Sequence, residues 1–529
     1  MYPDSIRPDI SHSGADRPGT SGSESARPGT NCSGTGGPED GRPRGLGGAR
    51  RVGDLGVLVA CVALSAGLLH FGTGLHPIPW LTWVAPLPVL LIAPRTTGVR
   101  ACLAAVAAWA VGGTTMWELQ RDRMEAPLPV ALLTVVVSAL VAALAVLLFR
   151  ALVRRGRLWS AAAVVPAVWV SAEYLVATLT PNGAIWSLAH TQAGVLPVVQ
   201  LAALTGGWGI SFLVTAVPAA LAASAAPWRN ARREARRQAG GRPWRVAATA
   251  LTLLLVVAVG GAVRLALTEP YGAERKVALL ASRQQDDWAP IDTPRGRERL
   301  REVLERVRAL PPGTDAVVLP EGGFVTTAAD LPLISRPLAA LARERRMDVV
   351  AGVIVTDANH NTAMFFPAGG SEPGVYRKQH MVPGVEPYEP GDRMFLRAGT
   401  GVAICKDLDF PDLARAYRRE GARVMLLPAW DFDLDGWQHA RTTVLRGVEN
   451  GFWAVRSAAN GNLTVSDPYG RVRAETATTG RVPTVLTATV GTGAVRTLYT
   501  WAGDWFAWLC LALAVLLPAS AILRRRRPV

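Results

Sequence analysis

Three side chains in the second half of this 529-residue sequence could do covalent chemistry together: Glu321, Lys378 and Cys405. They stand in AVVLPE, GVYRKQHMVP and GVAICKD, at or near the ends of short apolar runs. A thiol attacks a carbonyl carbon only once a base takes its proton, and the oxyanion that forms needs a cation or backbone N–H groups beside it. Glu321 can act as that base. Lys378, with the backbone N–H of Lys406, can hold the oxyanion. Lys406 also sets a second cation next to the thiol, which would lower its pKa. Histidine is not required, although His380 and His439 offer a Cys/His alternative. Taken singly, the three residues read as a surface acid, a surface base and a core thiol, so their value is joint. Cys405 is the only cysteine between residues 268 and 498. Cys32, Cys61, Cys102 and Cys510 are too scattered for a disulfide framework or a metal site. No metal or nucleotide motif is present, so no cofactor and no metal is expected.

The segments around these residues alternate between strand-like and helix-like patterns. KVALLAS (276–282), DAVVLPE (315–321), DVVAGVIV (348–355), TAMFFPA (362–368), GVAICKD (401–407), RVMLLPA (423–429) and FWAVRSAA (452–459) read as strands. Residues 294–310, 411–420 and 436–450 read as helices. The segment 268–498 is long enough for its own core and reads as an α/β domain. Groups placed just past buried strands meet at one edge of a sheet, where open α/β folds put their sites.

The rest of the chain is built for lipid. Half of all residues are hydrophobic and 18% are charged, with a net charge of +15. That balance excludes a disordered chain, a disulfide scaffold and a purely soluble enzyme. Apolar stretches lie at 55–75, 77–93, 99–117, 128–152, 158–179, 205–226, 246–267 and 499–522. A bilayer core of ~30 Å takes about 20 helical residues, so these read as a polytopic α-helical protein of about eight spans. The second is the weakest, being short and carrying Pro79, Pro86 and Pro88. Residues 1–52, rich in Gly, Ser, Pro and Arg, cannot bury enough surface to offset ordering entropy and read as a disordered tail. The expected division is a cytoplasmic tail (1–52), a membrane domain of seven helices (53–267), an extracytoplasmic domain (268–498), and a final span with a basic cytoplasmic end (499–529).

Arginine sets the orientation. Arg42, Arg44, Arg50 and Arg51 precede the first span, and Arg95 and Arg100 follow the second. Arg150, Arg154, Arg155 and Arg157 follow the fourth, WRNARREARRQAGGRPWR follows the sixth, and LRRRRPV ends the chain. These alternate connections share one side, and the positive-inside rule makes that side the cytoplasm. The 268–498 segment, with 29 basic and 28 acidic residues, then lies outside. The excess positive charge is a topology signal. Short arginine loops without an aromatic platform do not suit nucleic acid. The first span lacks a small-residue cleavage site and is expected to be retained. Glu173 falls inside the fifth span, where an ionisable residue marks either a function or a pairing with a neighbouring helix. The connection 180–204 faces outward, with Trp186 and His190 at interfacial depth.

The stretches LPEGGF, YRKQHMVPGVEPYEPG and GVAICKDLDFP, followed in order by LLPAW, GWQHARTTVLRGVENGFWAVRSAANG and DPYGRV, resemble the nitrilase (carbon–nitrogen hydrolase) superfamily. Its signature is a Glu–Lys–Cys triad in this order. The resemblance covers the whole 268–498 segment and implies an αββα sandwich. The seven-plus-one arrangement of spans, with Glu173, IWSLAHTQ and QLAALTGGWGISFLV, resembles the apolipoprotein N-acyltransferase family and extends the likeness to about residues 55–523. That family implies a ping-pong reaction. Cys405 would attack the sn-1 ester of a phospholipid, giving a thioester and a lysophospholipid. The α-amino group of a diacylglyceryl cysteine on an apolipoprotein would then take the acyl chain. Glu321 would serve as base and then acid, and Lys378 as oxyanion partner. Glu386 matches the family's second glutamate, which positions the triad. Trp186 and its neighbours could line a lipid entrance or simply anchor at the interface. Exclusion of water would favour the amine over hydrolysis.

The sequence departs from the family pattern in places. Lys406 and Asp407 follow Cys405 where Tyr and Glu are usual. GVE replaces FGE at Glu386, Val176 stands where an Arg is expected, and Ile185 replaces the Pro before Trp186. A second reading, open to a divergent paralogue, is a membrane-tethered amidase or nitrilase acting on a small C–N substrate with water as acceptor. A third is a lipid-binding scaffold with an inactive hydrolase domain, against which the intact triad counts.

Overall fold

The structure, a computed structural model, describes residues 46–225, 242–269, 272–282 and 288–523. Residues 1–45 of the expected tail, most of the arginine-rich 228–245 connection and the basic end from 524 lie outside the described residues. The chain forms two compact units, 1–56 and 57–529. Of the first, only the beginning of helix α1 (Leu46–Gly72) is described, and the architecture below belongs to the second.

Among the described residues, six helices are long and apolar enough to cross a bilayer: α1, α2 (Gly98–Gly112, continued by a 3₁₀ turn to Met116), α3 (Leu128–Arg154), α4 (Leu158–Leu179), α5 (Gly207–Ser224) and α6 (Trp244–Leu267). The expected count of about eight is not confirmed, and two of the expected stretches differ from a single uninterrupted helix. Residues 77–93 are broken into the short helices Pro79–Thr82 and Leu87–Ile92, because proline removes an N–H and clashes with the preceding turn. The last stretch starts later than expected, after Gly503, whose φ is 65°, and forms the apolar helix Trp505–Leu523. Burial separates the helices by role. In α5, 78% of the apolar window is buried, against 11% in α6, so α5 is the centre of the bundle and α6 lies at its edge. Leu133, Leu144, Leu255 and Val256 remain exposed, as a lipid-facing surface requires.

The second half is two sheets face to face. One has the order β13-β1-β2-β4-β5-β6, with β3 beside β4; the other runs β12-β11-β10-β9-β8-β7. The strands are β1 (Glu274–Ala281), β2 (Ala316–Val318), β3 (Phe324–Thr326), β4 (Asp348–Val355), β5 (His360–Phe366), β6 (Gly374–Arg377), β7 (Phe395–Arg397), β8 (Thr400–Val402), β9 (Val424–Trp430), β10 (Trp453–Ala459), β11 (Asn462–Ser466), β12 (Val472–Ala477) and β13 (Thr484–Gly491). Alternation along β1 shows the layering. Val277 and Leu279 pack with Val402, Leu426 and Val455 of the facing sheet. Ala278 and Leu280 turn the other way, onto Leu300 and Val303 of α7 (Pro294–Arg308) and Ile334 and Leu338 of α8 (Pro332–Arg345). With α9 (Pro411–Arg419) and α10 (Gly436–Asn450) on the second sheet, the domain is an αββα sandwich.

Helix α10 belongs to both halves. Leu445 and Val448 pack with Ala189, Val199, Ile210 and Val214 of the membrane half. Glu449 Oε1 accepts from the Gly207 N–H at 2.8 Å, at the start of α5. The helix that covers the second sheet therefore also seats the domain on the bundle.

Candidate active site

Three chain reversals bring the candidate residues to one edge of the sandwich. After β2 the chain leaves the sheet through Leu319 and Pro320, and the Glu321 N–H donates to Ala429 O of β9 at 3.2 Å. It crosses β4 closely here. A Cβ on Gly352 would lie 2.3 Å from the Pro320 carbonyl oxygen, so β4 needs glycine at that point. Lys378 follows β6, its N–H donating to Asn361 O at 2.9 Å. Cys405 opens a 3₁₀ turn, Cys405–Asp409, after β8.

Lys378 Nζ donates to Glu321 Oε1 at 2.7 Å and to the two oxygens of Glu386 at 2.8 and 2.7 Å. Asn361 Nδ2 donates to Glu321 Oε1 at 2.7 Å and Glu386 Oε1 at 2.9 Å. The Val382 N–H donates to Glu386 Oε2 at 2.7 Å. Buried charges persist only when paired and hydrogen-bonded, and this ammonium has two carboxylates. Cys405 Sγ lies 3.3 Å from Trp430 O, at the end of β9.

Cys405 has φ 43°, in the left-handed region that costs a non-glycine residue about 1–3 kcal/mol. Asp407 holds it there. Its fully buried carboxylate accepts from the Ile404 N–H at 2.9 Å, the Tyr376 hydroxyl at 2.7 Å, and the Gln379 and His380 N–H groups at 3.1 and 2.9 Å. One side chain thus ties the cysteine turn to the segment that carries Lys378.

The charges are interdependent. Burial pushes Glu321 up to about 7, with Lys378 opposing and Glu386 adding to the rise. Burial alone would lower Lys378, but Glu321, Glu386 and the charge of a Cys405 thiolate hold its ammonium well above the usual lysine range. Burial, reinforced by Glu321, raises the Cys405 thiol well above its ordinary value against the pull of Lys378. The sulfur rests protonated, so a nucleophilic role would require a base to take its proton. The expectation that Lys406 lowers this pKa is corrected. The Lys406 ammonium turns to Asn182 O at 3.4 Å and Asp409 Oδ2 at 3.7 Å, toward the 180–204 connection.

The histidine alternatives are occupied elsewhere. His380 stacks on Phe410 with centroids 3.6 Å apart and faces Asp407 at 3.1 Å. His439 lies between Asp435 at 3.1 Å and Asp409 at 3.8 Å. Asp431, Asp435 and His439 offer atoms within 4.8 Å of one another, a spacing that could hold a metal. Arg456, however, bonds both oxygens of Asp431, and His439 bonds Asp435, so the group is already a closed ion-pair network.

Glu173 is paired. Its Oε1 accepts from Trp169 Nε1 and the Leu188 N–H, both at 2.8 Å, and its Oε2 from the Ser187 hydroxyl at 2.9 Å. It fastens the 180–204 connection to α4. Trp186 lines a cavity of about 290 Å³ with Trp109, Trp169, Glu173, His190 and Gln438. Glu321, Lys378 and Cys405 do not line it. Asn182 and Gly183 do, and they also meet the cysteine turn, where the Ala184 N–H donates to Asp409 O at 2.7 Å. The cavity therefore lies in the membrane half, next to the cysteine turn.

Asn361 and Asp407 were not singled out from sequence as functional. Asn361 lies between His360 and Thr362 at the polar start of β5, and no contrast with its neighbours marks it in the sequence. Asp407 stood only as a departure from a motif.

Residues 279–498 match the family model for carbon–nitrogen hydrolases, which places the sandwich in that class of protein. Residues 65–220 match the N-terminal domain of apolipoprotein N-acyltransferases. An apolipoprotein N-acyltransferase of Geobacter metallireducens is 29% identical over 514 residues, covering 87% of this chain and 95% of that protein. One from Azotobacter vinelandii is 29% identical over 519 residues, covering 88% and 95%. An (R)-stereoselective amidase of Pseudomonas sp. is 28% identical over 201 residues, 33% of this chain and 73% of that protein. Both halves of the chain thus resemble apolipoprotein N-acyltransferases, and the likeness extends over most of its length. These likenesses support an N-acyltransferase in the carbon–nitrogen hydrolase superfamily and a multi-pass membrane protein.

Proposed function

We propose that this protein moves a fatty acyl chain from a phospholipid, through a thioester on Cys405, to the α-amino group of an N-terminal diacylglyceryl cysteine on apolipoproteins. The observation that carries the reading is the buried Lys378 ammonium held between Glu321 and Glu386 in the electrostatic field of the Cys405 sulfur. In the first half, Glu321 takes the thiol proton as sulfur attacks the ester carbonyl carbon. Lys378 faces the oxyanion. The C–O bond then breaks, Glu321 returns the proton to the departing glycerol oxygen, and a lysophospholipid leaves. In the second half, the free amine attacks the thioester carbon and Glu321 takes a proton from it. The C–S bond breaks and the proton returns to sulfur, regenerating the thiol. Glu386 positions Lys378 throughout.

The arginine placement supports a catalytic domain at the outer face of the membrane with both chain ends in the cytoplasm. The cavity beside Trp186 supports an apolar chamber next to the cysteine turn, with room for part of an acyl chain.

The test is complementation of a bacterial strain lacking lipoprotein N-acylation, read by the mass of a lipoprotein's N-terminal peptide. Restored triacylation that is lost with Cys405→Ala is expected. No acylation, with ammonia released from small amides by the purified protein, would overturn the reading in favour of an amidase. Neither activity, with no covalent adduct from a thiol-directed phosphonate, would overturn it in favour of an inactive scaffold.

A further inference from the structure

Where α9 ends beside the entry to the last helix, the surface carries a basic hollow of about 460 Å³ lined by Arg418, Arg419, Arg496, Thr497, Thr500 and Trp501. None of these is acidic. Its position across the membrane can be read from the last helix. At one end Trp505 follows the hollow directly. At the other, Ser520 accepts a hydrogen bond from Arg157 at 3.0 Å, on the side of the arginine-rich connections. The hollow thus lies at the opposite membrane face, the one that carries the catalytic domain. The positive-inside rule does not account for three arginines there.

The hollow is also rigid. Arg419 Nε donates to Thr500 O at 2.8 Å and its guanidinium to Trp501 O at 3.0 Å. A guanidinium has five N–H donors, so these two bonds leave three for a ligand. Thr497 and Thr500 are fixed to α10 through Glu449 O at 2.6 Å and Asn450 Oδ1 at 3.2 Å. Just below, Arg415 bonds Asp504 at 3.0 Å, and Asp504 accepts from Trp208 of α5 at 2.9 Å. Trp501, 79% exposed, presents an indole beside the arginines. Arginine forks match phosphate oxygens bidentately, and tryptophan settles among headgroups.

We propose that Arg418, Arg419, Arg496 and Trp501 form a docking site for the phosphate of a phospholipid headgroup. The site is separate from the acyl-transfer centre and goes beyond the proposed activity, needing only the membrane setting. The phosphodiester takes the guanidinium N–H groups, the glycerol backbone lies against Trp501, and the tails run down the last helix.

The test uses the purified full-length protein in detergent, with native mass spectrometry reading the retention of dioleoylphosphatidylglycerol against dioleoylglycerol, which has the same tails without phosphate. Each Arg→Gln replacement is expected to weaken retention of the phospholipid about fivefold, and the triple variant about a hundredfold, with no change for dioleoylglycerol. Arg496→Gln alone guards against misfolding, because Arg496 is exposed and is not among the residues assigned to chemistry. Unchanged retention in a folded Arg496→Gln and in the triple variant would overturn the proposal. So would displacement of the phospholipid by inorganic phosphate at comparable concentration, which would make the hollow a site for a soluble anion.

Discussion

Two hydrogen-bonded glutamates, one in each half of the molecule, were both candidates by residue type, and their surroundings separate them. Glu173 accepts from an indole N–H, a backbone N–H and a hydroxyl. All three are neutral dipoles, and together they fasten a loop. Glu321 meets an ammonium and an amide beside a thiol. Its proton balance therefore depends on groups that themselves change charge. Fixed dipoles suit a carboxylate that stays put, whereas a shared cation suits one that must gain and lose a proton within a cycle.

The largest effects should fall on the second set. Glu321→Gln keeps the shape of the side chain and is expected to cut acyl transfer about 10³-fold, the scale of a lost general base, with thermal unfolding little changed. Glu173→Gln should do the reverse, leaving turnover within about tenfold while lowering stability by about 1–3 kcal/mol through disturbed, partly buried hydrogen bonds. The opposite pattern in transfer assays and unfolding curves would erase the distinction drawn between the two residues.

Asp407→Ala sharpens the comparison, since Asp407 resembles Glu173 in its donors but sits beside the chemistry. Releasing the cysteine turn should cost about 10²-fold in turnover, the scale of an ångström-level misplacement, with substrate KM less affected. An effect confined to stability would make Asp407 a structural residue only.

The pH dependence follows from the same contrast. In the proposed mechanism Glu321 must be ionised to take the thiol proton, so transfer should rise as pH increases through about 7, and Glu321→Gln should flatten that limb. A smaller effect concerns folding. Burial alone would lower His439, but Asp435 and Asp409 raise it from 6.5 to about 9. Its charged form therefore contributes stability fully below pH 6.5, and that contribution is lost as pH climbs through 9. Unfolding temperatures measured across this window should fall, and His439→Gln should reduce the slope.

Legibility from sequence tracked burial. Asp348–Val355 and Gly436–Asn450 were placed with their observed bounds, because both carry an apolar pattern that only the core explains. β12 and β13 passed unnoticed. Both have largely exposed or half-buried residues, and β13 alternates polar and apolar positions. β3, β6 and β7 are only three or four residues long. The strand containing Asn361 was expected to begin at 362, which left a residue bridging both site glutamates outside the element that positions it. In the membrane half, length and hydropathy found the long helices but read residues 77–93 as one element, which Pro79, Pro86 and Pro88 divide, and started the last helix before the break at Gly503. Asp407 could not be read from sequence at all, since its four donors come from residues 376 to 404, brought together only by the folded sheets.

The most direct measurement of the central claim is the intact mass of the purified protein after incubation with a phospholipid of defined sn-1 chain and no acceptor. An added mass equal to that acyl chain less one hydrogen, located on Cys405 by peptide mapping, removed by hydroxylamine and absent in Cys405→Ser under the same treatment, is the expected result. An unmodified Cys405 in protein that still transfers acyl chains, or an adduct on another residue, would contradict the account.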